Sequence, residues 1–545
     1  MKAIEVMLTK ILRRLLGFIL LIFNKCFGLF EMIIKNKNLA MTILFVLTIL
    51  IGIGGNFIKG SADDPSDDGA YYYDVAENLE EGRGFQSDIK QYWLDDWRET
   101  EEPGVIENPY IGVVLFPLYS SIVLRFDDSL MAIRIANTVV SGITIVLMFT
   151  LVSKLFNEKI AFLSSLIFIF NPLFFIFYTS ILSEALFLMI YLVPFLVLVR
   201  KEIAKISTTD LILCGGFSAL AFLSRMVGLL VIVSIFIWLI GNRKFRKGSI
   251  YGISTFTFLL PWLVWNKTRV GYFFPFLHIA AADRWPVVME DVTHGNSSTN
   301  ITHFARDLLA FTTDLTSIHL FFILVPFILI GILKFIKDKN ISLIIIFSLI
   351  TVLFHILTNY SLRYMAPIIP LMIPIGLKML WTTIEKIDVR TILNVNISGK
   401  MVFASLIIFI IFVQSLAIAN IINDSRDSIS GNHNSEKYEY LTEISSKDAI
   451  ICSTEPRHAH YFTERQTIIL ATNLNETDLD NYIDFYEISF IVLEDISIEK
   501  YEDNSFLYSL YEANDTYELG EYVLRLFHEE PGYGNDMIFY RVERS

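Results

Sequence analysis

The chain has 545 residues, 54% of them hydrophobic, a composition far more apolar than that of a soluble enzyme. The formal charge of −13 is unevenly distributed: from Asn423 onward there are 26 Asp plus Glu against 9 Lys plus Arg, a net of −17 that leaves the rest near +4. An apolar body without a basic footprint excludes a nucleic-acid-binding protein, and the acidic C-terminal segment reads as a separate soluble domain.

Residues 1–37 carry Lys2, Lys10, Arg13 and Arg14 with apolar stretches and no small-residue cleavage site, so they are expected to form an uncleaved, cytoplasm-facing interfacial segment, helical over 5–34. Apolar runs long enough for bilayer spans follow at about 38–58, 129–152, 159–178, 182–199, 211–224, 226–240, 249–265, 317–335, 341–358, 364–381 and 401–421. These eleven predict an all-α polytopic membrane domain over 38–422, with a first outer loop at 59–108. Residues 109–124 are apolar but hold Pro109 and Pro117, which suits a re-entrant or interfacial piece. Lys154 and Lys159, Arg200 and Lys201, Arg243 to Lys247, Lys334 to Lys339, and Lys386 to Lys400 all fall on one side of this parse. The positive-inside rule makes that side cytoplasmic.

The first loop opens with SADDPSDDGAYYYDVAENLEEGRGF, where Asp63, Asp64, Asp67 and Asp68 crowd like charges just after a span. Close carboxylates push their pKa values apart, which suits a positioned base, although an Asp here equally caps the helix that follows. Tyr72, Val75, Ala76 and Leu79 recur at i, i+3, i+4 and i+7, the pattern of an amphipathic helix able to lie on the membrane surface. Glu184, Arg225, Arg363 and Tyr364 stand at span ends on the same side. Charges there are costly and usually functional. Arginine suits phosphate through its planar fork, whereas a single rim arginine can simply snorkel to headgroups.

His278, His294 and His303, in the loop after 267, lack metal-ligand spacing, and Cys26, Cys214 and Cys452 are too scattered for a disulfide or thiolate site. No cofactor is required by anything in the sequence, and a divalent metal stays open. Residues 423–545 alternate strand-like runs (448–454, 466–472, 488–495) with helical ones and are expected to form a small extracytoplasmic α/β domain without a nucleotide-binding glycine motif. Sequons at Asn296, Asn300, Asn475 and Asn514 all lie on the outer side of this parse.

Over roughly residues 38–382 the chain resembles the polytopic glycosyltransferases of the GT-C superfamily, near the protein O-mannosyltransferase and aminoarabinose transferase group. DDGAYYYDVAENLEEGRGF is similar to the group's first-loop pattern of an acidic pair, a tyrosine and an A-x-N-L-x-x-G run. NPYIGVVLFPLYS resembles its segment before the second span, and ILSEALF, FLSRMVGL, PWLVWN and RYMAPIIP match further motifs in order. The resemblance implies an inverting transferase that moves a sugar from a polyprenyl- or dolichyl-phosphate donor to a lipid, glycan or protein acceptor on the extracytoplasmic side. It implies Asp68, or its neighbour Asp67, as the catalytic acid, Glu184 as the second acid, and Arg225 and Arg363 as holders of the lipid phosphate. Tyr71, Tyr72 and Tyr364 would line the cavity. The group often has Arg before Asn in P-W-x-x-R-N; here Trp265 precedes Asn266, which makes Lys267 a substitute phosphate ligand. The W-W-D-x-G signature of oligosaccharyltransferases is absent. The competing expectations are a transporter or flippase of lipid-linked sugars, which would carry mid-membrane charges and repeated halves, and a non-catalytic assembly factor recruiting through its acidic tail.

Overall fold

A computed structural model of the protein describes residues 31–59, 67–90, 114–269, 271–274, 319–358, 362–386, 399–430, 434–470, 476–494, 510, 516–530 and 537–544. The expected interfacial helix at 5–34, the four sequons and the three loop histidines lie essentially outside these residues.

Each predicted apolar run carries helix. In chain order the helices are α1 (Lys37–Lys59), α2 (Asp67–Glu80), α3 (Leu115–Leu124), α4 (Leu130–Leu155), α5 (Glu158–Ile169), α6 (Pro172–Thr179), α7 (Glu184–Val199), α8 (Thr208–Ser224), α9 (Gly228–Gly241), α10 (Phe245–Arg269), α11 (His319–Phe335), α12 (Lys339–Thr358), α13 (Ile369–Lys386) and α14 (Gly399–Ser430). Among the described residues five stretches, Lys37–Lys59, Leu130–Leu155, Phe245–Arg269, Ala366–Ile384 and Met401–Asn423, are long and apolar enough to cross a membrane. The others are shorter or interrupted. The run at 159–178 breaks because Asn171 caps a new helix, accepting from Phe174 N at 3.0 Å, with Pro172 at its first position. The result is a 66° bend between α5 and α6.

Close helix approach in such a bundle relies on small residues. A Cβ on Gly52 of α1 would fall 2.4 Å from the Thr138 side chain of α4. Between α8 and α9 the chain turns at Arg225, whose backbone is extended (φ −158°, ψ 142°). A Cβ on Gly228 would lie 2.4 Å from the Ala221 carbonyl carbon, so only glycine closes that corner.

After α14 come α15 (Asn434–Ile444), β2 (Ile450–Ser453), α16 (Pro456–Thr463), β3 (Gln466–Ile469), α17 (Glu476–Tyr486), β4 (Ile488–Glu494), β5 (Thr516–Leu519), β6 (Tyr522–Glu530) and β7 (Met537–Arg544). The expected boundary at 423 falls within α14, which runs on to Ser430. The three predicted strands are β2, β3 and β4, paired in parallel; β7, β6 and β5 extend the sheet antiparallel. The seventh strand comes from the first loop. β1 (Ile89–Lys90) pairs with β3 in parallel, Ile89 opposite Thr467 and Lys90 opposite Ile468, giving the order β1-β3-β2-β4-β7-β6-β5. Loop and C-terminal domain therefore share one sheet.

That pairing changes the reading of α2. Val75 and Ala76 are buried as the amphipathic pattern requires, but so are Asp74 and Asn78 on the other side. Tyr71, Val75, Ile89 and Val114 form one small apolar cluster. Residues on both sides of the helix are thus buried against protein.

Candidate active site

Asp68 sits in the first turn of α2, and α7 begins at Glu184. Asn137 of α4 donates its amide to the carbonyls of Ser180 (2.9 Å) and Leu182 (3.3 Å), which fixes the turn that leads into Ser183 and Glu184. Arg225 occupies the α8–α9 corner. Arg363 lies on a 3-10 turn, Leu362–Ile368, held down where Tyr191 of α7 donates to the Pro367 carbonyl at 2.6 Å. Four segments far apart in sequence thus end at one place.

Their charges interlock. Glu184 pairs with Arg225 at 2.9 Å and with Arg363 Nε through its other oxygen. Arg225 also donates to Ser183 Oγ at 2.8 Å. Arg363 reaches on to Asp68 with Nη2 at 2.8 Å, bridging the two acids. The second oxygen of Asp68 faces Arg457 of α16 at 3.3 Å, and the Arg457 guanidinium lies 5.8 Å from the Tyr71 ring centre. Among the described residues of this cluster, three guanidiniums face two carboxylates, one positive charge in excess.

Exposure grades across the cluster. The side chains of Glu184 and Arg225 are 3% and 7% exposed, whereas Arg363 and Asp68 are 29% and 37% exposed and Arg457 23%. The inner pair is sealed in, and the outer three groups can meet a ligand. Burial would raise the Asp68 carboxyl, but Arg363, Arg457 and Arg225 outweigh it and hold it below the usual carboxylate range. Burial first, and then the Asp68 charge, push the Tyr72 phenol up to about 12.

Beneath Asp68 a second polar layer ties α2 to the C-terminal domain. Asp74 accepts from Asn78 Nδ2 at 3.1 Å, from the Asp88 backbone N–H at 3.3 Å and from Ser87 Oγ. His460 Nε2 lies 3.3 Å from Asp74 Oδ1. Burial would lower the His460 pKa, but the Asp74 charge outweighs it and lifts the value to about 9, so the ring faces Asp74 as an imidazolium.

Of the residues named from sequence, Asp68, Glu184, Arg225 and Arg363 converge. Tyr71 and Tyr72 flank them, Tyr72 packing edge-on to Phe116 at 5.2 Å between ring centres. Asp67 opens α2, but its side chain and that of Tyr364 lie outside the described residues. Among the described residues Lys267 makes no contact with the cluster: it is exposed, donates to the Gly271 carbonyl at 2.6 Å and lies 5.9 Å from the Phe273 ring centre. Trp265, standing where an arginine was expected, packs instead with Phe85 of the first loop at 6.0 Å and stacks on Trp262 at 4.5 Å. Arg457 and His460 were missed. Their one sequence signal is spacing, two basic groups at i and i+3 in the PRHAHYF stretch of a strongly acidic tail.

Residues 114–265 match the family model described as dolichyl-phosphate-mannose-protein mannosyltransferase. No curated protein matches the sequence. Among solved structures, the archaeal oligosaccharyltransferase AglB from Archaeoglobus fulgidus, in complex with an inhibitory peptide and a dolichol-phosphate, aligns with a TM-score of 0.56 at 13% identity, covering 85% of this chain and 70% of that one. ArnT from Cupriavidus metallidurans bound to undecaprenyl phosphate aligns with a TM-score of 0.53 at 9% identity, covering 91% of this chain and 97% of that one. The helical bundle with its first-loop cluster and C-terminal sheet has the fold of the GT-C membrane enzymes, and its 114–265 segment resembles the dolichyl-phosphate-mannose-protein mannosyltransferases.

Proposed function

We propose that the protein is an integral-membrane, inverting glycosyltransferase that moves a sugar from a polyprenyl- or dolichyl-phosphate donor to an acceptor hydroxyl on the extracytoplasmic face. The observation that carries this reading is the chain of ion pairs from Arg225 through Glu184 and Arg363 to Asp68, closed by Arg457. One positive charge in excess suits the single negative charge of a sugar phosphodiester. A donor whose lipid chain enters sideways from the bilayer needs no nucleotide pocket.

The roles follow from the exposure gradient. Glu184 and Arg225 are too buried to touch a sugar and act by positioning: they hold Arg363 with its fork turned outward. Arg363 and Arg457 offer donors to the phosphate oxygens and offset the charge that grows on the leaving phosphate. In the free protein the same arginines keep Asp68 ionised. A phosphate that draws the guanidiniums toward itself loosens their hold on Asp68, whose pKa then rises, and the carboxylate becomes a better acceptor for the proton of the attacking hydroxyl. In this scheme the base strengthens as the donor docks.

The experiment is sugar transfer from radiolabelled polyprenyl-phosphate sugars by purified protein in liposomes, with Asp68→Asn and Glu184→Gln alongside. The expected result is transfer that falls at least about 100-fold in Asp68→Asn with the fold retained, the scale on which a positioned base contributes. Transfer indifferent to Asp68→Asn would remove the base assignment. No transfer with any donor would turn the reading toward transport or assembly.

A further inference from the structure

Behind the Asp68 cluster, Asp74 and Asp88 of the first loop face His460 of the C-terminal helix α16, with one ligand-capable atom from each lying within 4.8 Å of the others. Asp74 is 2% exposed and the imidazole 13%. The other ring nitrogen is already committed: His460 Nδ1 lies 2.7 Å from the Arg465 carbonyl, so it carries the hydrogen and donates it. Nε2 is thereby turned toward the two carboxylates, where a metal ion would take the place of the proton that otherwise pairs it with Asp74. Donation from one imidazole nitrogen to a backbone carbonyl is also how proteins orient a histidine for metal.

We propose that Asp74, Asp88 and His460 form a divalent-metal site, of the kind filled by zinc, which clamps the first loop to the C-terminal domain. The His460–Asp74 spacing is right for it: ligands held about 2.0–2.1 Å from a tetrahedral ion stand about 3.3 Å apart, and His460 Nε2 and Asp74 Oδ1 are separated by 3.3 Å. One imidazole and two carboxylates suit a first-row ion such as zinc better than calcium, which seeks six or more oxygens. A fourth position remains for water. Arg83 pairs with Asp88 Oδ2 at 2.7 Å and neutralises part of the acidic charge, which favours a divalent over a more highly charged ion. All three ligands lie at a junction already made by strand pairing, because Asp88 precedes β1 and accepts from Thr467 N at 3.0 Å. The site is independent of the glycosyl-transfer reading: it concerns the joint between two parts of the chain.

The test uses the full-length, tag-free protein in detergent, stripped with EDTA, incubated with zinc, desalted and assayed for metal by mass spectrometry, with thermal unfolding followed in parallel. Wild type is expected to hold one zinc per chain and to unfold at a higher temperature with zinc than with EDTA. His460→Gln and Asp88→Asn are expected to retain at most about a tenth of that zinc, since loss of one ligand costs at least the 10–100-fold in affinity seen when a group hydrogen-bonded to a ligand is removed, and to lose the zinc-dependent shift. Wild type that retains no zinc overturns the proposal whatever the variants do; His460 is then an imidazolium paired with Asp74. Equal zinc in wild type and in whichever variant folds also overturns it, because the metal then sits elsewhere.

Discussion

Arg363 is the residue on which the cluster turns, because it touches both acids. Removing it leaves Glu184, 3% exposed, with one partner in place of two, and breaking a buried ion pair costs about 3–5 kcal/mol. Arg363→Ala is therefore expected to lower both the thermal midpoint and transfer, whereas Arg363→Lys keeps the charge but not the fork and is expected to fold with activity reduced about 10–100-fold, following the loss of bidentate geometry. Comparing unfolding and transfer in the two variants separates the structural from the chemical role. At Asp68 the sign of the pH effect is fixed by its neighbours. Its carboxyl is held low, so the ionised form persists as pH falls until the folded-state value is passed, below the ordinary value of about 3.9. Arg457→Gln removes one of the charges holding it there, so the acid limb of the kcat/KM profile is expected to move to higher pH. An unmoved limb would show that Arg457 does not act through Asp68.

At the scale of elements, the corner between α8 and α9 and the loop strand β1 carry the geometry. Gly228→Ala places a methyl group 2.4 Å from backbone atoms of Ala221, so the corner must open; overpacking of this kind costs about 1–3 kcal/mol and displaces Arg225 from Glu184. The expected outcome is a lowered thermal midpoint with a larger proportional loss of transfer. Ile89 in β1 is fully buried against Tyr71, Val75 and Val114. Ile89→Asp puts an unpaired charge there and is expected to detach β1 from β3, read as faster proteolysis between the first loop and the C-terminal domain while the helical bundle stays intact. The amphipathic pattern of α2 was legible in the sequence, but not what covers it. Alternation of apolar and polar positions says that a face is buried, whereas the identity of the covering surface depends on which distant segment reaches it.

Taken whole, the chain divides less cleanly than its composition suggests. The acidic segment after Asn423 looks like an appended domain, yet its sheet is completed by the first loop and its helix α16 delivers Arg457 to Asp68. Cutting the chain after Ser430 is therefore expected to leave helices that still insert but to abolish transfer, with co-expression of the missing part restoring some of it; full transfer by the truncated chain would exclude a C-terminal contribution to the site. The sequence by itself marked the helical membrane body, the acidic segment after it and four of the charges that meet in the candidate site, because long apolar runs and charges at their ends are costly in any other arrangement. Only the tertiary structure decided that Glu184 is sealed behind Arg363, that Lys267 stands apart, and that Arg457 meets Asp68 across 389 positions. Those facts rest on strand pairing and ion pairing between remote segments, where any of many basic residues satisfies the same local rules and only the closed fold selects one.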